Sequence, residues 1–194
     1  GNLKFDVVIG NPPYMSSEDM KNLTPLEHPL YPSKYDSAYK QYDKYFLFIE
    51  RGLQLLKDNG VLGYIIPSKF MKVGAALKLR ELISKNHYLS ELTSFGANQV
   101  FGGKTTYTCL LILSKHDNPN FKYEEIKNIS RWRGRVESNA VTERSAESIN
   151  SDTWALFPEE FDSLFEKIYR DGITLSDVVG NDNIFNGIQT SANK

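Results

Sequence analysis

The segment that most constrains the fold of this chain is the apolar run at residues 5–9, which ends abruptly in a polar amide and two prolines. Its three consecutive β-branched side chains predict a buried β-strand. Pro12 and Pro13 cannot donate a hydrogen bond to a neighbouring strand, so the strand has to end before them. Each proline also holds the preceding residue in an extended conformation, which stiffens the segment. We therefore expect the Asn11 carboxamide, the Pro12 carbonyl and the Tyr14 ring to project from the end of a strand.

The three projecting groups suit the recognition of an amino group on a planar base. Such a group has two N–H donors, which an amide oxygen and a backbone carbonyl can accept together. Its nitrogen lone pair then stays directed at an electrophile, while an aromatic ring can stack on the base. For a bare Asn-Pro-Pro sequence the alternative is a rigid turn without a catalytic role, so the rest of the chain has to decide.

Downstream of a long, proline-punctuated loop at residues 15–40, amphipathic helical patterns alternate with apolar runs. The predicted elements are helices over 41–58, 75–84 and 158–170, strands over 61–66, 88–95 and 105–113, and irregular backbone over 121–152. Asn59-Gly60 provides a stop signal for the first helix. Strands that alternate with amphipathic helices indicate an α/β fold with a parallel sheet and helical crossovers. The loop before the last strand is too short for a crossover helix, so this final strand should be antiparallel.

Ligands of such sheets bind beyond the carboxyl ends of the strands. Three segments of the sequence should reach that edge: residues 11–14, 67–70 and 96–104. The pattern of elements therefore predicts a site there.

The formal net charge of −1 means that the chain lacks the overall basic excess of a simple nucleic-acid-binding protein. Contact with nucleic acid would have to come from a local patch. Arg131-Trp132-Arg133-Gly134-Arg135 could form such a patch, because it combines positive charge with an aromatic ring. A solvated linker is the alternative interpretation of the same residues.

The single cysteine, Cys109, excludes a disulfide within the chain and fits a reducing compartment. No apolar run approaches membrane-spanning length, and no signal-peptide pattern is present. These features favour a cytoplasmic protein without membrane contact. The three histidines lie far apart without paired ligand spacing, so no metal site is predicted.

Four segments together resemble the second half of an adenine-N6 DNA methyltransferase domain of the type IIG restriction–modification and Taq-type family. They are residues 5–14, 42–56, 60–71 and 100–113. In addition, residues 175–178 and 187–190 resemble the start of a target-recognition domain in that family. The resemblance implies a partial Rossmann-like methyltransferase sheet, followed by an irregular and helical tail. The implied domains are residues 1–116 as the C-terminal half of the catalytic domain, 117–155 as a linker and 156–194 as the start of the target-recognition domain.

The resemblance also implies roles for individual residues. Asn11 and Pro12 would accept hydrogen bonds from the adenine amino group, and Tyr14 would stack on the base. The base must leave the duplex, because its target atom cannot be reached inside it. The remaining implied substrate-binding residues are Pro13, Phe101, Lys69 and Lys104. For Phe101 the alternative is a hydrophobic anchor of its loop, and for the two lysines it is simple solvation.

The implied methyl donor is S-adenosylmethionine. The glycine-rich cofactor loop of the family should precede Asn11, and no such loop occurs there. Gly102-Gly103 does not replace it, since these residues separate two antiparallel strands. We therefore expect the main cofactor-binding residues to lie outside this chain, which would be a fragment that is inactive alone.

The implied partner is double-stranded DNA. Without a preceding strand, the edge of Phe5–Ile9 should be open, so we expect self-association through it or shielding by the tail.

Two other functions stay open from the residues. A protein-glutamine N5 methyltransferase shares Asn-Pro-Pro-Tyr, because a glutamine amide is also a planar NH2 group, and the chain could instead be an inactive DNA-binding or scaffold fragment.

Overall fold

The computed structural model describes residues 3–101, 106–135, 141–157, 161–180 and 183. The chain divides into two compact units, Gly1–Leu156 and Phe157–Lys194. In chain order, the described helices and strands of the first unit are β1 (Phe5–Gly10), α1 (Ser17–Leu23), α2 (Lys44–Leu55), β2 (Leu56–Pro67), α3 (Leu77–Lys85), β3 (Leu89–Ser94), β4 (Thr108–Ser114), β5 (Asn120–Glu125), α4 (Ile129–Arg133) and β6 (Val141–Ser145).

The described strands form one six-stranded mixed sheet in the order β1-β2-β4-β3-β5-β6. β1 is parallel to β2, β3 is parallel to β5, and β4 is antiparallel to both of its neighbours, β2 and β3. β1, β2, β3 and β5 therefore all run in the same direction, and their carboxyl ends lie at one edge of the sheet. The predicted α/β fold with helical crossovers is confirmed, and so is the antiparallel direction of β4, although β5 and β6 follow it in the chain.

The core lies where α2 packs on the sheet. On β2, the buried side chains Leu62, Tyr64 and Ile66 alternate with half-exposed residues. Gly52 allows α2 to approach closely, because an added Cβ atom there would lie 2.4 Å from the Cδ1 atom of Leu62. One face of the central strands is thus more deeply buried than the other.

β1 forms as predicted, but its predicted burial is wrong. Phe5, Val7 and Ile9 are 44%, 62% and 84% exposed. Among the described residues, only β2 pairs with this strand, and no strand lies on its other side. The apolar run therefore lies at the sheet edge that was expected to be open.

The helix predicted over 41–58 is shorter, and β2 begins at the residue after it. Asn59-Gly60 lies within β2 and does not end the helix. The glycine is needed there for close packing, because a Cβ atom at Gly60 would lie 2.9 Å from the carbonyl oxygen of Phe5.

The irregular backbone predicted over 121–152 is wrong, since β5, α4 and β6 lie in this range and the two strands extend the sheet. On β5, buried Phe121 and Tyr123 alternate with Lys122 and the half-buried Glu124, which is the period-two pattern of a strand. The long loop predicted at residues 15–40 also contains α1. Its N-terminus is closed by a capping box between Ser16 and Asp19.

In the second unit, the described helices are α5 (Asp162–Asp171) and α6 (Leu175–Val179). α5 confirms the helix predicted over 158–170 from residue 162 onward, while residues 158–160 lie outside the described residues. Thr174 and Asp177 form a capping box at the start of α6. The segment 187–190, which resembles a recognition-domain sequence, also lies outside the described residues. In the part of the chain that is described, no helix is long and apolar enough to cross a membrane.

Candidate active site

The Asn-Pro-Pro-Tyr segment follows β1 directly at the carboxyl edge of the sheet. Asn11 and Pro13 are exposed, whereas Pro12 is buried. No hydrogen bond joins the Asn11 side chain to another described residue. The carboxamide is thus available to a ligand, and the buried ring beside it anchors the backbone.

Tyr14 is held by two contacts of its own. Its hydroxyl donates a hydrogen bond to the carbonyl oxygen of Ile65 on β2, at 2.9 Å. Its ring packs edge-on against Tyr45, with the ring centroids 6.1 Å apart. The ring remains 37% exposed. Burial raises the pKa of Tyr14 to about 12, so the hydroxyl is protonated at neutral pH and can donate.

The buried residue Tyr45, which packs against Tyr14, is itself held by a hydrogen bond. Its hydroxyl donates to the carbonyl oxygen of Pro67 at the end of β2, at 3.3 Å. No role was predicted for Tyr45, which lies on the buried face of α2. The hydroxyl on that face was the available signal, because a buried phenol needs a hydrogen-bond acceptor.

The start of α2 is attached to the segment after Tyr14. The backbone N–H of Lys44 donates to the carbonyl oxygen of Met15 at 2.8 Å, and Ser16 and Asp43 form an isolated β-bridge. The carboxylate of Asp43 is nearly buried and lies 2.8 Å from the ammonium group of Lys69. Lys69 thus has a partner within the protein, and its contact with phosphate stays a prediction.

The loop after β3 reaches the same edge. The side chain of Asn98 donates to the carbonyl oxygens of Phe95 and Ile126, at 3.0 and 2.7 Å. Phe101 is half-buried, and Lys104 lies outside the described residues. β1 and β3 are three strand positions apart in the sheet, or about 14 Å. The structure therefore puts Tyr14 and the Phe101 loop on one edge, without a described contact between them.

For the basic cluster, a nucleic-acid-binding patch and a solvated linker were both open from the sequence. Arg131, Trp132 and Arg133 lie on α4, which follows β5 at the carboxyl edge of the sheet. The cluster was visible in the sequence, but its position depends on β5, which was not predicted.

A cavity of about 530 Å³ lies elsewhere, between the loop around Tyr35 and helix α3. Glu50, Lys78 and Glu81 contribute charged groups to its lining. None of the residues predicted for the methyl-transfer site lines it.

The described residues do not form a cradle for S-adenosylmethionine. In this part of the chain, no strand that runs toward the edge is followed by a glycine-rich turn that opens a helix. β1 continues into Asn11 and two prolines, and β2 continues into Ser68–Met71, a short 3-10 helix. We therefore assign no cofactor-binding residue among those described.

A family model described as "Eco57I restriction-modification methylase" matches residues 1–101. The chain is 50% identical over 194 residues to the type II restriction enzyme and methyltransferase RM.Eco57I of Escherichia coli. This match covers 100% of the chain and 19% of the relative, so the chain spans about a fifth of that protein.

Two solved structures show the same fold at low sequence identity. The type IIG restriction endonuclease BpuSI has a TM-score of 0.56 at 15% identity, over 87% of this chain and 22% of that one. A nuclease-deletion mutant of the type ISP restriction-modification enzyme LlaGI, in complex with a DNA substrate mimic, has a TM-score of 0.57 at 20% identity. That match covers 81% of this chain and 16% of that one.

Proposed function

This chain belongs to the Eco57I restriction-modification methylase family, and we propose that its edge at Asn11–Tyr14 directs methyl transfer to N6 of adenine in DNA. The observation that carries the proposal is an exposed carboxamide that has no hydrogen-bond partner among the described residues. It lies next to a tyrosine whose hydroxyl donates to the carbonyl oxygen of Ile65. Amino-group recognition requires free acceptors on a rigid backbone, and this segment has both.

In the proposed complex, the amide oxygen of Asn11 and the carbonyl oxygen of Pro12 accept the two N–H groups of the adenine amino group. The lone pair of the amino nitrogen then points away from both acceptors. Because Pro12 is buried, its carbonyl has little freedom to move. The Pro12 carbonyl is thus held in place before the substrate arrives, which lowers the cost of orienting the amino group.

Tyr14 is proposed to stack on the base after it has left the duplex. Its hydroxyl bond to Ile65 and its edge contact with Tyr45 restrict the ring, while the exposed part remains open to a ligand. An aromatic ring that is already held in place loses little conformational entropy on stacking. Phe101 is proposed to contact the base from another side.

Three further residues are proposed to contact the substrate. Pro13 is exposed beside Asn11 and can contact the base or its sugar. Lys69 and Lys104 are proposed to contact phosphate. The ammonium group of Lys69 would then interact with the phosphate and with the carboxylate of Asp43 at the same time.

S-adenosylmethionine is the proposed methyl donor, consistent with membership in a methylase family. We propose that its main binding residues lie outside this chain, so that the chain alone is inactive. Residues 1–116 would then be the C-terminal half of a catalytic domain and 156–194 the start of target recognition. The interval 117–155, proposed as a linker, contains β5 and β6 of the sheet.

Identification of the product tests the proposal. The complete protein is incubated with duplex DNA and isotopically labelled S-adenosylmethionine, and the DNA is hydrolysed to nucleosides for mass spectrometry. The proposal predicts label in N6-methyldeoxyadenosine and none in other nucleosides. Label in methylcytosine would contradict the adenine assignment. Label only in glutamine of an added protein substrate would favour the glutamine methyltransferase, and no label at all would favour a scaffold.

A further inference from the structure

Residues 127–135 are basic in a chain whose net charge is −1. Their charged side chains are Lys127, Arg131, Arg133 and Arg135, and none of the nine residues is acidic. The three arginines are exposed. The nearest preceding carboxylates, Glu124 and Glu125, are half-buried on β5, and Glu125 accepts a hydrogen bond from Tyr123 at 3.2 Å. The exposed side chains of this stretch are thus dominated by positive charge.

The topology of the sheet puts this basic stretch at the carboxyl edge. β5 is parallel to β3, and the N–H of Ile126, just past the end of β5, donates to the carbonyl oxygen of Ser94 at 2.8 Å. Asn128 caps α4, its side chain accepting the N–H of Arg131 at 3.1 Å. α4 therefore begins at the same edge as the Asn-Pro-Pro-Tyr segment.

Two contacts fix α4 against the loop that carries Phe101. The ring of Trp132 packs edge-on against the buried ring of Phe95, with centroids 5.4 Å apart. The guanidinium group of Arg133 donates to the carbonyl oxygen of Val100 at 3.4 Å. A solvated linker would make neither contact, so the cluster is a supported part of the sheet edge.

We propose that Arg131 and Arg135 bind the phosphate backbone of the DNA, with Arg133 as a positioning residue for the loop at Val100. This inference rests on the proposed function, because it assumes that duplex DNA is the substrate. Guanidinium groups match phosphate geometry and release counterions on binding.

The position of α4 sets where along the DNA these contacts occur. β1 and β5 are four strand positions apart, or about 19 Å. Successive phosphates of one strand advance by 3.4 Å along the duplex axis, so this span corresponds to about five or six nucleotides. The arginines therefore contact DNA phosphates that are not directly adjacent to the extruded base. Contacts with phosphate carry no direct sequence information.

The salt dependence of DNA binding tests this proposal. The complete protein carrying Arg131→Gln and Arg135→Gln is titrated with a fluorescent duplex at several salt concentrations. The slope of log K against log salt should fall in magnitude by about 0.9 per phosphate contact, or about 1.8 for the pair. The loss of affinity should be the same for duplexes of different sequence.

Two controls isolate the effect. Arg51→Gln with Lys85→Gln removes the same charge from exposed residues of α2 and α3. This control should leave the slope unchanged, and Arg131→Lys with Arg135→Lys should restore most of it. An unchanged slope in the glutamine variant, or an equal loss in the Arg51 control, would overturn the proposal. Failure of the proposed function is recognised separately. In that case the unmodified protein would not methylate DNA, whatever the slope of the salt dependence.

Discussion

The two ends of one sheet edge differ in how they are built. At the β1 end, Asn11 and Tyr14 are neutral, and Tyr14 is held by one carbonyl and one ring contact. At the β5 end, exposed arginines surround a tryptophan that packs on the loop after β3. Lys69, just after β2, is paired with the carboxylate of Asp43.

This difference indicates separate roles for the two ends. A neutral amino group is best held by fixed hydrogen-bond acceptors, whereas a phosphate backbone is best held by exposed cations. Changes at the β1 end should therefore affect the rate of methyl transfer, and changes at the β5 end should affect DNA affinity and its salt dependence. The following predictions test that separation.

The largest effect is expected for Asn11→Ala in the complete protein. Loss of an acceptor that positions the amino group should lower the single-turnover rate of methyl transfer by about a hundredfold or more. DNA affinity should stay close to that of the unmodified protein. Asn59→Ala is the matched control, since Asn59 is also exposed but lies near the start of β2. Near-normal turnover of Asn11→Ala would remove the basis of the site assignment.

Aromatic substitutions should have intermediate effects. Tyr14→Ala and Phe101→Ala should each weaken binding of the extruded base by about 1–3 kcal/mol. Tyr14→Phe keeps the ring but loses the bond to the Ile65 carbonyl, which contributes about 0.5–1.5 kcal/mol. A fluorescent base analogue at the target position reports extrusion. If neither alanine variant changed its signal, both rings would serve packing alone.

The ion pair of Lys69 allows a smaller effect to be measured on stability. Lys69→Ala leaves the nearly buried Asp43 carboxylate unpaired and should lower the free energy of unfolding by about 1–2 kcal/mol. This value is reduced from that of a fully buried pair because the Lys69 side chain is half-exposed. Lys57→Ala is the comparison, because its partner Asp6 is exposed and the pair is open to solvent. Equal unfolding midpoints for the two variants in denaturant titrations would argue against the supporting role of Lys69.

The smallest effect at neutral pH is expected from the ionisation of Tyr14. Burial raises its pKa to about 12, compared with roughly 10 in an unfolded chain. A raised pKa favours the protonated phenol in the fold, so this contribution to stability is complete below about pH 10. It is lost as the pH rises through about 12. The difference in phenolate absorbance between the unmodified protein and Tyr14→Phe measures the midpoint, and a value near 10 would show that the ring is freely solvated.

The sequence predicted the local elements of this edge well and their surroundings less well. The end of β1 follows from Pro12 and Pro13, because proline chemistry is local. The hydrogen bond from Tyr14 to the Ile65 carbonyl could not be predicted. Every residue has a backbone carbonyl, so the side chain of Ile65 does not show that its carbonyl is the acceptor. The exposure of Val7 depends on which strands lie beside β1, which is a property of the whole sheet.

The β5 end shows a different limit. Alternating apolar and polar residues from Phe121 onward carried the strand signal, but the adjacent polar sequence favoured an irregular interpretation. Without β5, no pattern in the sequence indicated that Arg131 would lie at the carboxyl edge of the sheet. Self-association through the open edge of β1 also stays a prediction, which light scattering of the 194-residue chain would test.

The most direct test of the central claim is a structure of the complete protein bound to duplex DNA that contains its target adenine. The account predicts an extruded adenine with its amino nitrogen about 3 Å from the amide oxygen of Asn11 and from the carbonyl oxygen of Pro12. It also predicts phosphates within hydrogen-bond distance of Arg131 and Arg135. A base that stays stacked in the duplex, or that occupies a different pocket while Asn11 faces solvent, would contradict it.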